Sequence, residues 1–342
     1  MIKRFLFALL VGAVAFTFAF ASADAQTDWA VIKTFQIGGQ GGWDYLTVDP
    51  QTHRLFVPRS THTMVIDTES GSTIADIPGQ KNAHGVALAP AAGRGFISDG
   101  GGNGGIVIFD LKTYAVLGTL AAKPDADGII FDPHSGRVLV VSGRGKALMS
   151  FAPDIDPTNG KIDPEIALRG EPEFLAADDA GRVYINLMDT NEVAVVDLKA
   201  RKVVTHWPVA PGGKPVGMSI DTSKKRIFIG CRGPQKLIVM STTDGKVLAD
   251  LPIGESVDAT KVEGGQAFAS TAGGVLSVAG ETKPGVFEIV QSVKTGPGAR
   301  TMAIDPTSHR IYLPTADYDE AKPGSRPVPK PGTFKILVVA HS

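Results

Sequence analysis

Short apolar runs of four to six residues, each ended by Asp, Gly or Pro, recur along the chain from residue 29 onward. Seven segments share one order: an apolar run that ends near Asp-Pro, a turn, an Arg and a second apolar run. The position of the repeat Asp is filled in turn by Asp49, Ala89, Asp132, Asp178, Asp221, Val262 and Asp305. These positions are about 40 to 46 residues apart, which is typical of a β-propeller with four short strands in each blade.

The second half of each unit fits the same architecture. A third apolar run ends in Asp, as in residues 63–67 (TMVID) and 106–110 (IVIFD), and a turn then leads into a fourth run, as in residues 73–77. Runs rich in Val, Ile and aromatic residues between turn residues are typical of strands and hairpins. No sustained helical period follows the first 25 residues, so the pattern predicts an all-β chain.

The count of strands also predicts how the ring closes. The seventh unit contains only three strands, ending with residues 334–341, whereas residues 29–37 form a strand-like segment that no unit uses. Pairing the two segments would remove exposed strand edges. We therefore expect a single seven-bladed propeller domain over residues 26–342, with blade seven closed by the N-terminal strand.

The first 25 residues have the three parts of a secretory signal peptide. Two basic residues precede an apolar run over residues 5–20, and small residues follow up to Ala25. A membrane anchor is the alternative, but the run is shorter than the roughly 20 residues that a span needs. We expect a signal peptide over residues 1–25, a periplasmic or secreted chain that begins at Gln26, and no membrane insertion after cleavage.

Charge and cysteine content exclude several classes of partner and cofactor. The chain has 34 Lys and Arg against 35 Asp and Glu, a net charge of −1, and no basic block that would favour nucleic acid. Its single cysteine, Cys231, excludes an internal disulfide and a C-x-x-C-H haem attachment motif. The glycine-rich residues 100–105 precede no helix, so they predict no nucleotide cofactor. We expect a monomer whose partner is a small molecule or another envelope protein.

The repeat resembles a known family. An Asp-Pro-turn-Arg-apolar segment such as residues 305–313, followed by an apolar-Asp-turn-Gly-Lys-Val segment such as residues 239–247, resembles the YVTN-repeat, or YncE-like, β-propellers of bacterial envelopes. The likeness covers residues 29–341. It implies the propeller fold and an envelope location, and it says little about activity because a fold supports many functions.

Position within the repeat indicates which side chains reach the channel. The first strand of each blade lines a propeller channel, so residues five before each repeat position should enter one channel mouth. These residues are Asp44, His84, Asp127, Glu173, Val216, Val257 and Arg300, with Asp258 next to Val257. Loops after the second strands reach the same face, and they carry Arg59, His62, Asn186 and Arg232.

We expect a ligand-binding site at this mouth, because like charges crowded in a narrow opening favour a bound partner. Its predicted residues are Asp44, His84, Asp127, Glu173, Asp258, Arg300, Arg59, Asn186 and Arg232. Carboxylates with imidazole can bind Ca²⁺ or a divalent transition metal, and the candidate metal ligands are Asp44, His62, His84 and Asp127. A wet channel would also be lined with polar residues, so the ring alone leaves both interpretations open.

Two functions remain open. The first is a non-catalytic protein that binds a small ligand, a metal ion or a partner protein, and the absence of a nucleophile–base motif favours it. The second is a lactonase, lyase or cyclase acting on a small carboxylate, with His84, Glu173 and Arg300 as base, acid and oxyanion partner. The arginines that begin the second strands are expected to pair with the repeat Asp or with turn carbonyls of their own blade.

Overall fold

The computed structural model describes residues 28–319 and 328–342, which fold into 27 β-strands and a single turn of 3₁₀-helix, Pro90–Ala92. The prediction of an all-β chain is confirmed. Within the described ranges, no helix is long and apolar enough to cross a bilayer. The predicted signal peptide, residues 1–25, lies outside the described residues.

The strands form seven blades of four antiparallel strands around a central channel, as the sequence predicts. The first strand, β1 (Trp29–Gln36), belongs to the last blade. Blade 1 contains β2 (Thr47–Asp49), β3 (Arg54–Pro58), β4 (Ser60–Asp67) and the first part of β5 (Thr73–Ala89). Blade 2 contains the last part of β5, β6 (Arg94–Asp99), β7 (Gly105–Asp110) and β8 (Val116–Ala121). Blade 3 contains β9 (Ala126–Asp132), β10 (Arg137–Ser142), β11 (Ala147–Phe151) and β12 (Ile166–Ala167).

The remaining blades follow the same order, from the channel outward. Blade 4 contains β13 (Pro172–Ala177), β14 (Arg182–Leu187), β15 (Glu192–Asp197) and β16 (Lys202–Pro208). Blade 5 contains β17 (Pro215–Asp221), β18 (Arg226–Arg232), β19 (Gln235–Ser241) and β20 (Val247–Pro252). Blade 6 contains β21 (Val257–Glu263), β22 (Gln266–Thr271), β23 (Val275–Lys283) and β24 (Val286–Lys294). Blade 7 contains β25 (Ala303–Asp305), β26 (Arg310–Thr315), β27 (Lys335–His341) and β1.

One strand belongs to two blades. The first part of β5 pairs with β4 from Thr73 to Pro78, and its last part pairs with β6 from Val86 to Ala89. Blades 1 and 2 therefore form one seven-stranded sheet, whereas each of the other five blades is a separate four-stranded sheet.

The ring closes in blade 7 as predicted. Strand β1 pairs antiparallel with β27, from Trp29 opposite His341 to Gln36 opposite Lys335. The buried Trp29 ring packs edge-on against Phe268 of blade 6, with centroids 5.0 Å apart, and its Nε1 donates a hydrogen bond to Gln266. The N-terminal strand thus completes its own blade and contacts the preceding one.

The hydrophobic core lies between the blades. The described residues form seven buried apolar clusters, and each cluster joins two successive blades around the ring. The cluster between blades 4 and 5 includes Cys231, which is completely buried and whose pKa is raised to about 12 by burial. Apolar burial between neighbours stabilises the ring without any disulfide.

In the five blades that have a repeat Asp, the geometry of this turn depends on that Asp rather than on an Asp–Arg pair. The Asp305 carboxylate accepts hydrogen bonds from the Thr307 N–H at 2.8 Å and the Ser308 hydroxyl at 2.7 Å, which is a typical Asx turn. The expectation that the repeat arginines pair with turn groups of their own blade holds for Arg54, which donates to the His53 carbonyl at 3.1 Å, but not for Arg226. Arg226 of blade 5 binds Glu281 of blade 6 instead, because its long side chain reaches across the interface and meets a carboxylate there.

Candidate functional site

A departure from regular strand pairing at the start of the inner strands positions several of the predicted site residues at the channel mouth. Between the paired residues Ala83 and Val86 of β5, two residues face one residue of β6, so the pairing forms a β-bulge. The same departure from regular pairing occurs in β9, β13 and β17, and β21 has one extra residue at this point. A bulge redirects side chains out of the ladder. The residues at these bulges are His84, Asp127, Glu173, Val216 and Asp258.

Glycine follows the bulged residue in three blades and lets neighbouring inner strands approach closely. A Cβ atom added to Gly128 would lie 2.8 Å from the Glu173 carbonyl oxygen, and one added to Gly217 would lie 2.7 Å from the Thr260 nitrogen. No side chain fits at such distances. The inner strands therefore crowd together at the mouth, which brings residues of separate blades within contact distance.

Asp44, His84 and Asp127 come from three separate stretches of the chain and meet at the mouth. The His84 Nδ1 atom lies 2.7 Å from Asp44 Oδ2 and 3.5 Å from Asp127 Oδ1. One ligand atom from each residue lies within 4.8 Å of the other two, which is close enough for a single metal ion to contact all three. All three side chains are only partly exposed. We call these three residues the triad.

Asp127 is the member of the triad whose charge is least balanced. Its Oδ1 atom is buried and accepts no hydrogen bond from the described residues, since the Nδ1 proton of His84 is directed to Asp44. Burial raises the pKa of Asp127 well above its usual range; the charge of His84 opposes this rise, and the charges of Asp44 and Glu173 add to it. A buried carboxylate oxygen without a donor is costly unless a cation or a proton is supplied.

His84 is held in one orientation by both of its ring nitrogens. Nδ1 bonds Asp44, and Nε2 lies 2.8 Å from the Asn82 side-chain amide. Burial alone would lower the pKa of His84, but the hydrogen bond to Asp44 and the charges of Asp127 and Asp44 outweigh it and raise the pKa to about 9. At this pKa the imidazole is protonated at neutral pH when no other cation is bound, and a proton on Nε2 requires the Asn82 amide to present its oxygen instead of the Nδ2 atom that faces Nε2 here.

Asp258, Arg232 and Arg300 form a second group, which we call the salt-bridge group. Arg232 Nη2 contacts Asp258 Oδ1, and Arg300 Nε lies 2.7 Å from Asp258 Oδ2. The Arg232 Nε atom also donates to the Val257 carbonyl at 2.9 Å. Burial raises the pKa of Asp258 to about 6, although both arginines act to lower it. Two cations thus face one buried carboxylate.

The pKa of Glu173 is shifted by burial and by charges from both the triad and the salt-bridge group. Its side chain accepts no hydrogen bond from the described part of the chain. Burial raises its pKa to about 7, the charge of Asp258 adds to the rise, and Arg232 opposes it. A carboxyl group with this pKa can hold or release a proton near neutral pH.

Two aromatic side chains, Tyr45 and Phe174, lie next to the charged residues of the mouth. Tyr45 follows Asp44 in the chain, Phe174 follows Glu173, and their ring centroids are 4.6 Å apart, with both side chains buried. Burial raises the pKa of Tyr45, and the charges of Asp258 and Asp127 add to the rise. The contact joins blade 4 to the segment before blade 1 across the channel, and both rings also line the cavity in the channel interior.

Besides Glu173, three residues of the predicted site are not part of either group. Arg59 is almost completely buried and bonds the carbonyls of residues 38, 41 and 42 while its guanidinium lies over the Phe334 ring. Asn186 is also buried and donates to the Val216 and Gly217 carbonyls. His62 lies 3.7 Å from Asp76. Arg59 and Asn186 thus hold the backbone near the mouth, and their role in binding a ligand stays a prediction.

Comparison with known proteins gives the fold. No family model and no curated protein matches the chain. Among solved structures, hydrazine synthase of Kuenenia stuttgartiensis is similar with a TM-score of 0.69 and 13% identity, covering 81% of this chain and 93% of that chain. U3-55K is similar with a TM-score of 0.74 and 10% identity, covering 89% and 97%. The WD40 repeats of RRP9 give 0.73 and 10%, covering 90% and 97%. The fold is a β-propeller. Identities this low carry no statement about function.

Proposed function

We propose that this protein binds a divalent transition-metal ion at the triad, and that the bound ion together with the salt-bridge group holds a small ligand at the channel mouth. The observation that carries the proposal is the buried Oδ1 atom of Asp127, which has no donor among the described residues and lies beside two other potential ligands. Two carboxylates and one imidazole are suitable ligands for such ions. The arginines of the salt-bridge group would then face an anionic part of the ligand.

Metal content and affinity test this function. The protein is stripped with a chelator and titrated calorimetrically with Zn²⁺ and Mn²⁺, beside the variants Asp127→Asn and His309→Gln. His309 is the matched control because its Nδ1 lies 2.7 Å from Glu263, as His84 does from Asp44, on the opposite face. Asp127→Asn is expected to weaken binding by about 10- to 100-fold, since it replaces one of two charged carboxylate ligands by a neutral amide, and His309→Gln to leave it unchanged. Equal affinity of the parent and Asp127→Asn would contradict the proposal.

The pH dependence of metal affinity provides a second test. The pKa of His84 is raised to about 9, so a metal ion must displace its proton at any lower pH. Affinity should rise about tenfold for each pH unit between 6 and 9, with one proton released for each ion bound. An affinity that is constant over this range would show that His84 is not a ligand.

We further propose that the chain is exported and belongs with the YVTN-repeat, YncE-like propellers of bacterial envelopes. The charged start, apolar run and small-residue stretch of residues 1–25 support export, and the Asp-Pro-turn-Arg repeats support the family. Expression of the full chain in a Gram-negative host tests this. A mature protein that is recovered from the periplasm and begins at Gln26 is expected, and an uncleaved chain would contradict it.

A second function, catalysis on a small carboxylate or lactone, is favoured by one observation. The pKa of Glu173 is raised to about 7, which suits a general acid or base, and Arg232 and Arg300 lie nearby on Asp258. The test is hydrolysis of a panel of aliphatic lactones by the metal-loaded protein. Loss of turnover in Glu173→Gln with metal binding intact would favour catalysis, and no turnover in the parent would favour binding alone.

A further inference from the structure

A cavity of about 610 Å³ occupies the channel interior on the other side of the Tyr45–Phe174 contact. Its exposed wall is somewhat more apolar than polar, and its apolar side chains include Val86, Ile129, Phe174, Met218 and Met302. It reaches the turns between first and second strands, where Asp179 is exposed, so it opens on the face opposite to the charged mouth. The volume is in the usual range for a small-molecule site.

Lys261 is the basic residue in the wall of this cavity. It lies in β21, three residues beyond Asp258 and thus about 10 Å deeper along the strand. Its ammonium group lies 5.7 Å from the centroid of the Phe174 ring and makes no hydrogen bond or ion pair with any residue that the structure describes. A contact with an aromatic face leaves the three ammonium donors without acceptors.

The ammonium group of Lys261 has no counterion in the described part of the chain, and this indicates which kind of ligand the cavity would accept. The Lys261 side chain is partly buried, this burial lowers its pKa, and no counterion among the described residues offsets the effect. The acidic residues that line the same cavity do not supply a counterion. Asp132 uses its carboxylate on the Ser135 hydroxyl and on turn N–H groups, and Asp179 is exposed at the opening.

We propose that the channel interior is a second binding site, which takes an apolar monocarboxylate through the face opposite to the charged mouth. The carboxylate lies on the ammonium of Lys261, and the apolar body of the ligand fills the space lined by Ile129, Met218 and Met302. A single lysine balances a single negative charge, which favours a monoanion over a phosphate dianion. Because the cavity opens on the face opposite to the charged mouth, we expect this site to bind its ligand independently of the metal site.

Calorimetric titration with 2-naphthoate and with its neutral analogue 2-naphthalenemethanol tests this site. The parent protein is compared with Lys261→Met, which keeps the unbranched side chain up to the Cε atom and removes the ammonium group, and with Lys261→Gln as a second variant. Lys224→Met is the matched control, since Lys224 lies in a turn on the same face but outside the cavity wall. Asp127→Asn and a chelator-treated sample separate this site from the mouth.

The parent is expected to bind the carboxylate at least tenfold more tightly than the alcohol. Lys261→Met and Lys261→Gln should abolish that preference, and Lys224→Met, Asp127→Asn and chelation should preserve it. Thermal melts that match the parent or exceed it would establish that the Lys261 variants are folded. Equal binding of the two compounds by the parent would overturn the proposal, as would an unchanged preference in both Lys261 variants. Loss of binding on chelation or in Asp127→Asn would place the ligand at the mouth and overturn it too.

Discussion

The triad and the salt-bridge group contain similar residues at one channel mouth, but they differ in how their charges are balanced. In the salt-bridge group, Arg232 and Arg300 both contact the buried carboxylate of Asp258. In the triad, the single imidazole of His84 faces two carboxylates, and one oxygen of Asp127 remains without a donor. The salt-bridge group gives each oxygen of its buried carboxylate a cationic partner, although Arg300 Nε makes no hydrogen bond to any described residue. Under the proposed function, by contrast, an added cation would complete the triad. A buried carboxylate with cationic partners on both oxygens stabilises the fold, whereas a buried carboxylate oxygen without a donor favours the binding of a cation.

Both groups depend on a closed ring, so opening the ring should have the largest effect. Deleting residues 26–38 removes β1, including the buried Trp29 and Phe35, and exposes the edge of β27. We expect a loss of about 5 kcal/mol or more in the free energy of unfolding, because each buried aromatic side chain contributes about 2 to 3 kcal/mol. Urea unfolding measures it. Ile32→Ala, at an exposed position of the same strand, is the control. A truncated protein that melts within a few degrees of the parent would refute the closure argument.

Removing one cation should be costly in the salt-bridge group. Arg232→Met leaves Asp258 with one partner, and we expect a destabilisation of about 2 kcal/mol, less than for a fully buried pair because Arg232 is one-third exposed. The double variant Arg232→Met with Asp258→Asn should recover most of this loss in urea unfolding. Arg144→Met provides the control, since that side chain is largely exposed. A double variant no more stable than the single variant would mean that the arginine acts through packing alone.

The raised pKa of Glu173 gives the metal-free protein a defined pH dependence. Its folded-state pKa is about 7 and its ordinary value is 4.5, so the folded state binds a proton more tightly than the unfolded chain does. The resulting stability is fully present below pH 4.5 and is lost as the pH rises through 7. Glu173→Gln should make unfolding free energies less dependent on pH between 5 and 8, by about 1 to 2 kcal/mol after allowing for solvent screening. Glu288→Gln, at an exposed position of β24, should retain the parent slope.

The smallest effect is expected at the far-face pair of His309 and Glu263, which has the same 2.7 Å contact as His84 and Asp44. His309 is 62% exposed, against 16% for His84. His309→Gln should change the free energy of unfolding by less than about 0.5 kcal/mol, since exposed ion pairs contribute little. Thermal unfolding with and without Zn²⁺ measures this. If His84→Gln and His309→Gln lost the same amount of stabilisation by Zn²⁺, burial would not be what distinguishes the two pairs.

The sequence predicted the fold because a propeller repeats its signals. Turn residues such as Asp305 and the apolar runs beside them recur at a fixed period, so the seven blades could be counted. The segment 29–37, which no repeat used, then predicted how the ring closes. The candidate mouth residues also followed from the period, because residues such as His84 and Asp127 hold equivalent places in their blades. Adjacent glycines, as in His84-Gly85 and Asp127-Gly128, are the local signal of the bulge that places them there.

The contacts that those residues make with one another could not be predicted from the repeat. Which carboxylate contacts His84, and which remains without a donor, depends on distances between blades that the repeat does not encode. Arg59 illustrates the same limit, because its partners are carbonyls of residues 38–42 that no motif marks. Lys261 was also missed, since its significance depends on a cavity formed by several inner strands and on the Phe174 ring beside it.

The bulge at the start of the inner strands makes this mouth modular. At each bulge, one side chain of the blade is directed to the channel mouth. The apolar clusters that stabilise the ring lie elsewhere, between the blades. An exchange at a position such as Glu173 therefore alters the chemistry of the mouth without rebuilding an interface. A scaffold of this kind can diversify its binding specificity one blade at a time, through single substitutions, while its architecture is inherited unchanged.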